Sequence, residues 1–163
     1  MANSSERQKL KEKFRNQFLK YVDQFNAAVS TEDGDWVVKG FIDIAKNIYT
    51  ISVDTKVVSK IMELLLFPKI CRFAEENKYK MVLCKEQNFY PDITFMDNKG
   101  NKFAVDVKST YRKNGKEVNG MTLGAFTGYF RDRSSKKNIT FPYDDYAGHF
   151  VLGVIYSRTD GHV

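Results

Sequence analysis

Residues 90–108, "YPDITFMDNKGNKFAVDVK", contain two apolar runs of β-forming residues separated by the polar stretch "DNKGN". Asp, Asn and Gly in such a stretch favour a tight turn, so the segment predicts a β-hairpin. Side chains alternate between the two faces of a strand. In the second run this puts Phe103, Val105 and Val107 on one face and Ala104, Asp106 and Lys108 on the other. An otherwise apolar strand thus carries two charges on one face, and these charges require an explanation.

The hairpin brings Asp92, at the start of its first strand, close to Asp106, late in its second. Two adjacent carboxylates repel each other unless a cation lies between them. The usual occupant is a hard divalent ion with oxygen ligands, such as Mg²⁺, which binds through one or two carboxylates together with substrate phosphate. Lys108 points the same way as Asp106 and can reach an attacking water or a scissile phosphate. The pattern predicts metal-dependent phosphodiester hydrolysis; the alternative is an edge strand whose charges face water.

The positive charge of the chain is concentrated directly after this strand. Residues 108–137 hold eight basic and two acidic residues, a net charge of +6 that equals the formal charge of the whole 163-residue chain. A basic segment beside a candidate metal site favours a polyanionic partner. A solvated loop surface rich in lysine is the equally weighted alternative.

The remaining segments predict a mixed α and β chain with no internal repeat. We expect an amphipathic helix over 6–29, a hairpin of two short strands over 36–53, and a second helix beginning near Asp54. Pro68 should end or kink that helix, with a further helical piece after it. Further along, the sequence predicts a strand over 79–84, a helix over 120–131 and a buried strand over 149–158.

Composition excludes several classes of protein. The longest apolar stretches are too short to cross a bilayer, and the N-terminal residues lack the apolar core of a signal peptide, so we expect a cytoplasmic protein without membrane contact. Cys71 and Cys84 are expected to be free thiols rather than a disulfide framework. With His149 and His162 as the only histidines, no cluster has zinc-ligand spacing.

The stretch "YPDITF" followed by "FAVDVKSTY" resembles the P-D…(D/E)-x-K motif of the restriction-endonuclease-like nuclease superfamily. Further resembling stretches occur in the same order as in a family of type II restriction endonucleases and extend over roughly 54–158. They are "DTKVVSKIMELL", "QNFYPDITF", "TLGAFTGYFR" and "KNITFPYDDYAGHFVLGVIYSR". The resemblance implies an α/β fold with a mixed β-sheet flanked by helices. It also implies Mg²⁺-dependent, site-specific hydrolysis of double-stranded DNA by a bacterial homodimer. We expect residues 1–53 to form the dimerisation region and 54–163 the catalytic core.

The same resemblance assigns roles to individual residues. Asp92 and Asp106 would be metal ligands, joined by the backbone carbonyl of Val107. Lys108 would orient or deprotonate the attacking water, or stabilise the developing charge. Glu63 matches an additional helix carboxylate that approaches the metal, although its own sequence context favours a solvent-facing residue. The catalytic and metal-binding assignments are thus Asp92, Asp106, Lys108, Glu63 and Val107.

DNA contacts are likewise implied by resemblance. Gln87 and Asn88 match a loop that approaches the minor groove, and Lys137 matches a loop that contacts the DNA backbone. Ser109, Thr110 and Tyr111 match positions near the phosphates.

The resemblance ends near residue 158, before the family's segment that reads bases in the major groove, so we expect that segment to be lacking. Two alternatives stay open: a nicking or repair nuclease of the same superfamily, and a DNA-binding module that no longer cleaves.

Overall fold

The computed structural model describes residues 4–51, 55–86, 88–121 and 126–157. The helices are α1 (Ser4–Leu19), α2 (Val22–Val29), α3 (Thr55–Glu76) and α4 (Phe126–Arg131). The strands are β1 (Gly40–Ile42), β2 (Ile48–Thr50), β3 (Lys80–Leu83), β4 (Ile93–Met96), β5 (Lys102–Tyr111) and β6 (Tyr146–Tyr156). A 3-10 turn, Tyr143–Asp145, leads into β6. The expected α/β class with a mixed sheet is confirmed.

The main sheet has the strand order β3-β4-β5-β6. Its first three strands are antiparallel, and β6 runs parallel to β5. The predicted hairpin is β4–β5, in the register that pairs Ile93 with Val105. Its turn forms because Asp97 Oδ1 accepts hydrogen bonds from the backbone N–H groups of Lys99 and Asn101, both at 2.9 Å. The local sequence 97–101 therefore determines the register that brings the two aspartates together.

The two faces of β5 contact different apolar clusters, as the alternation predicts. Phe103 and Val105 lie in the main core, between the sheet and the helices α1–α3. There the ring of Phe14 stacks on that of Phe103 with centroids 4.5 Å apart. Ala104 faces a smaller cluster on the other side of the sheet, formed by Tyr90, Tyr129, Ile139, Tyr143 and Tyr146. Each large apolar side chain buried in this way contributes about 1.5–3 kcal/mol to stability. Asp106 and Lys108 thus project from the face that carries the tyrosine-rich cluster.

The prediction of a single helix over 6–29 is wrong, because the helix is interrupted between α1 and α2. The N–H groups of Lys20 and Tyr21 bond three residues back, to the carbonyls of Gln17 and Phe18. This tighter turn ends α1, and α2 starts at Val22. The break lets Tyr21 pack against Phe73 of α3, with ring centroids 5.1 Å apart, and hydrogen bond to Glu76. Tertiary packing therefore outweighs the continuous helical pattern.

Of the two outcomes expected at Pro68, an end or a kink with helix continuing after it, the end does not occur. Pro68 lies inside α3, which continues to Glu76. A proline in a helix interior removes one backbone hydrogen bond. The buried stripe of α3 nevertheless continues beyond it through Ile70, Phe73 and Ala74. Burial of these side chains against the sheet offsets the lost bond.

Two further expectations change in detail. The strand expected to be buried over 149–158 is β6, which begins earlier, at Tyr146, and is an outer strand of the sheet. Residues such as Val151 and Ile155 of this strand are exposed. The helix expected over 120–131 is seen as α4 from Phe126, while residues 122–125 lie outside the described residues. The hairpin expected over 36–53 is β1–β2.

Across the described part of the chain, no helix combines the length and the apolar character that crossing a membrane requires.

Candidate active site

The hairpin β4–β5 positions the charged residues of the quoted segment. Asp92 directly precedes β4 and follows a cis peptide bond between Tyr90 and Pro91. Asp106 and Lys108 belong to β5. Since Ile93 pairs with Val105, the next residue outward on each strand is an aspartate. The predicted convergence of Asp92 and Asp106 is therefore present.

The ammonium group of Lys108 lies among three oxygen atoms. Its Nζ atom is 2.6 Å from Asp106 Oδ2 and 3.5 Å from Asp92 Oδ2. It also donates a hydrogen bond of 3.3 Å to the backbone carbonyl of Val107. These oxygens belong to the residues that the family resemblance implies as metal ligands. In this structure they converge on one cationic group.

Asp92 is held in place by the strand beside it. Its Oδ2 atom accepts a hydrogen bond of 2.8 Å from the backbone N–H of Val107. Its own carbonyl accepts a hydrogen bond from the N–H of Cys84, at the end of β3. Two neighbouring strands thus fix the backbone and the carboxylate of Asp92, which limits the directions in which this carboxylate can bind a ligand.

Asp106 is a buried carboxylate with an unusual electrostatic environment. The residue is 4% exposed. Burial raises its pKa to about 6, with Asp92 adding to the rise and Lys108 opposing it. Burial by itself lowers the pKa of Lys108, but its contacts with Asp106 and Asp92 outweigh that effect, and the pKa is raised. Asp106 is therefore close to titrating near neutral pH, while Lys108 stays cationic.

The oxygen atoms of this cluster fit a hard divalent cation. Asp106 Oδ2 is buried and, despite its ion-pair contact with Lys108, makes no hydrogen bond of acceptable geometry. A buried carboxylate is costly unless a cation compensates it, and in this structure the ammonium of Lys108 lies in that position. Two carboxylates and a carbonyl form the oxygen-only donor set that Mg²⁺ prefers. Within the described residues, however, no group of three or more His, Cys, Asp or Glu side chains is close enough together to hold a metal.

A cleft of about 1180 Å³ opens beside the cluster. Helix α3 forms one wall, and the ends of β4 and β5 form another; Asp92, Val107 and Lys108 line it. Glu63 also lines the cleft, from α3, where it is exposed and forms an ion pair of 2.8 Å with Lys60. Glu63 therefore shares the cavity with Asp92, while Asp106 is not among the described residues that line it.

The residues implied to contact DNA fall into two groups. Ser109, Thr110 and Tyr111 line the cleft, whereas Asn88 and Lys137 are exposed and lie outside it. Gln87 lies outside the described residues.

Thr110 has a structural partner. Its buried hydroxyl donates a hydrogen bond of 2.9 Å to the carbonyl of Asn119, which ties the basic loop over 112–118 to β5.

Sequence reasoning missed Ser59 and Lys60, which line the cleft from α3. The Oγ atoms of Ser59 and Ser109 lie 2.6 Å apart and connect this helix to β5. The spacing of Lys56, Lys60 and Glu63, at i, i+4 and i+7, is the signal that could have found this polar helix face. Sequence alone did not reveal that this face borders the two aspartates.

Two comparisons with known proteins bear on this site. The family model described as restriction endonuclease EcoRV matches residues 32–163. The chain is also similar to the type II restriction enzyme EcoRV of Escherichia coli, with 37% identity over 133 residues; the match covers 80% of this chain and 54% of that protein. The chain thus spans about half the length of the curated relative it matches.

Proposed function

The chain belongs to the EcoRV restriction endonuclease family, and from this premise we propose that it hydrolyses phosphodiester bonds of double-stranded DNA at a specific site with Mg²⁺. The observation that carries the proposal is the convergence of Asp92, Asp106 and Lys108 at the edge of an open cleft. Buried carboxylates beside a cation, in a cleft with a basic loop nearby, are suited to phosphoryl chemistry on a polyanion.

The carboxylates of Asp92 and Asp106 and the carbonyl of Val107 would hold Mg²⁺, with Glu63 as a further carboxylate on the cleft wall. When bound, the ion supplies an activated water and polarises a phosphoryl oxygen. Asp92 is oriented by the N–H of Val107, so the chain itself sets the direction of one ligand. The buried Oδ2 of Asp106 supports the assignment, because it already lies beside a cationic group, the ammonium of Lys108, at 2.6 Å.

Lys108 acts as an electrostatic stabiliser in this proposal. Its pKa is raised, so Nζ keeps its proton at neutral pH. A protonated amine does not accept a proton from water, but it stabilises negative charge that develops on the phosphate. Among the roles that the family resemblance implies for Lys108, we propose this one.

We propose that some of the residues implied to contact DNA do so directly and that Thr110 acts indirectly. Ser109 and Tyr111 line the cleft and would approach the phosphates directly. Thr110 would act indirectly, because its hydroxyl is engaged with Asn119. Gln87, Asn88 and Lys137 stay proposed DNA contacts on the strength of the family resemblance.

We further propose that two copies act together, with residues 1–53 forming the contact. A two-fold dimer matches the symmetry of a palindromic DNA site and supplies one cleft for each strand. The hairpin β1–β2 supports this role, because its apolar residues Ile42, Ile44 and Ile48 are 67%, 104% and 78% exposed in the single chain. Large apolar side chains exposed side by side mark a surface suited to contact with another protein.

The test is plasmid cleavage with Mg²⁺, comparing the chain with Asp106→Ala and with the control Glu75→Gln, which changes an exposed carboxylate on α3 outside the cleft. We expect discrete linear fragments from the chain and the control, and a loss of about 100-fold or more in Asp106→Ala. Nicked circles without linear product would favour the single-strand nuclease instead. DNA binding without cleavage by any variant would overturn the enzymatic proposal and leave a binding module.

A further inference from the structure

A second cavity, of about 530 Å³, lies between the first turns of α1 and the start of β6. We call it the α1–β6 pocket; Arg7, Lys11, Arg133 and His149 are among the residues that line it. None of its lining residues lines the active-site cleft. It is therefore a separate feature of the molecule, and the proposed cleavage reaction does not use it.

Among the described residues that line the pocket, three carry basic side chains and none is acidic. Among the described ion pairs, none involves Arg7, Lys11 or Arg133. Like charges that converge without a carboxylate partner repel one another and raise the local positive potential. A group with more than one negative charge would relieve that repulsion.

Neighbouring contacts hold each of these side chains at the pocket. Arg7 donates a hydrogen bond to the backbone carbonyl of Tyr146. A guanidinium has five N–H donors, so this bond leaves others for a ligand. The guanidinium of Arg133 lies over the ring of Tyr143, 5.7 Å from its centroid. The stem of Lys11 lies against Gly148, where an added Cβ would come within 3.0 Å of Lys11 Cγ. These contacts place the three cationic side chains around one pocket, where Arg7 is partly buried and Lys11 and Arg133 are exposed.

From these contacts we propose that the α1–β6 pocket binds a phosphate group. Two guanidinium groups offer the forked donors that match phosphate oxygens, and the lysine adds a point charge. The same phosphate chemistry could come from a free phosphate or phosphomonoester or from the DNA backbone, and the experiment below separates these sources. The low pKa of His149, about 4 and caused by burial and then by these cations, is consistent with a strong positive potential at this wall.

The test titrates the full chain with inorganic phosphate, without divalent metal, and follows backbone amide NMR signals. We expect the largest shifts at Gly148 and His149, with saturation. Lys11→Gln and Arg133→Gln should each weaken binding by about 10-fold. The matched control, Lys13→Gln, removes an exposed lysine of the same helix that does not line the pocket and should bind as the unchanged chain does.

A second arm measures binding of duplex DNA with metal removed by chelation, as a function of salt. If the pocket takes a backbone phosphate, Lys11→Gln and Arg133→Gln will weaken DNA binding and lower the salt slope by about one. If it takes a free phosphate, DNA binding will be unchanged while the phosphate titration is impaired. The inference would be overturned if DNA binding is unchanged and the phosphate-induced NMR shifts either do not saturate or are equal in all three variants. Because neither arm measures cleavage, an inactive chain would leave this test intact.

Discussion

At the scale of single residues, burial sets the protonation of the charged groups. Asp106 and His149 both resist ionisation because they are removed from water, and their pKa values move in opposite directions for that reason. Lys108 differs, because its two aspartate partners outweigh its burial. Lys108 at the cleft is therefore cationic, whereas His149 is neutral. The protonation of His149 has a measurable consequence for stability.

The pKa of His149 is lowered from 6.5 to about 4, so the unfolded chain binds a proton that the folded chain does not between these pH values. Stability from this residue is present above pH 6.5 and is lost as the pH falls. We expect the free energy of unfolding of the chain, relative to His149→Gln, to fall by about 2 kcal/mol between pH 7 and pH 5.

Urea denaturation at several pH values measures this difference. Comparison with the variant is essential, because the raised pKa of Asp106 has the opposite sign and stabilises the folded chain as the pH falls. Parallel pH profiles for the two proteins would refute the prediction.

At the scale of secondary-structure elements, α3 joins the fold and the site. One of its faces buries Val58, Met62 and Leu66 in the main core. Another lines the cleft with Ser59, Lys60 and Glu63. Its continuation through Pro68 keeps both faces in one rigid element. The proline itself is exposed and makes no contribution to the buried stripe.

Replacing Pro68 by alanine should therefore stabilise the protein. The change restores a backbone N–H donor and removes the clash of the ring with the preceding turn, and the gain exceeds the added freedom of the unfolded chain. We expect an increase of about 2 kcal/mol in the free energy of unfolding, measured by urea denaturation. Glu75→Ala, at an exposed position of the same helix, should change stability by less than about 0.5 kcal/mol. A destabilised Pro68→Ala protein would contradict the prediction.

At the scale of the whole molecule, the chain combines a buried apolar core with an exposed apolar hairpin, β1–β2. Helices α1–α3 and one face of the main sheet share one cluster, so the N-terminal helices are part of the folded body. The hairpin β1–β2 is different, because each residue of β2 and two of the three in β1 are exposed. This unequal distribution of burial agrees with the proposed contact between two copies.

The substitution Ile44→Lys should weaken that contact. A charge at the most exposed isoleucine of the hairpin would be buried without a partner in the dimer. We expect the mass measured by light scattering to shift from dimer to monomer at micromolar concentration, with nicked plasmid replacing linear product.

The control is Ile155→Lys, which changes an exposed isoleucine of β6, far along the chain from the hairpin. It should keep the mass of the unchanged chain. A monomeric unchanged chain, or a dimer unaffected by Ile44→Lys, would refute the proposed contact.

The sequence by itself determined the hairpin, its two faces and the convergence of Asp92, Asp106 and Lys108. These features follow from turn chemistry and strand alternation within 19 residues, which are local properties. Only the tertiary structure decided that the helix breaks at Tyr21, that α3 continues past Pro68, and that Thr110 is tied to Asn119. It alone joined Arg7 and Lys11 to Arg133, from opposite ends of the chain. Such contacts depend on the packing of distant elements, whose energies outweigh local preference and leave no signal in a short window of sequence.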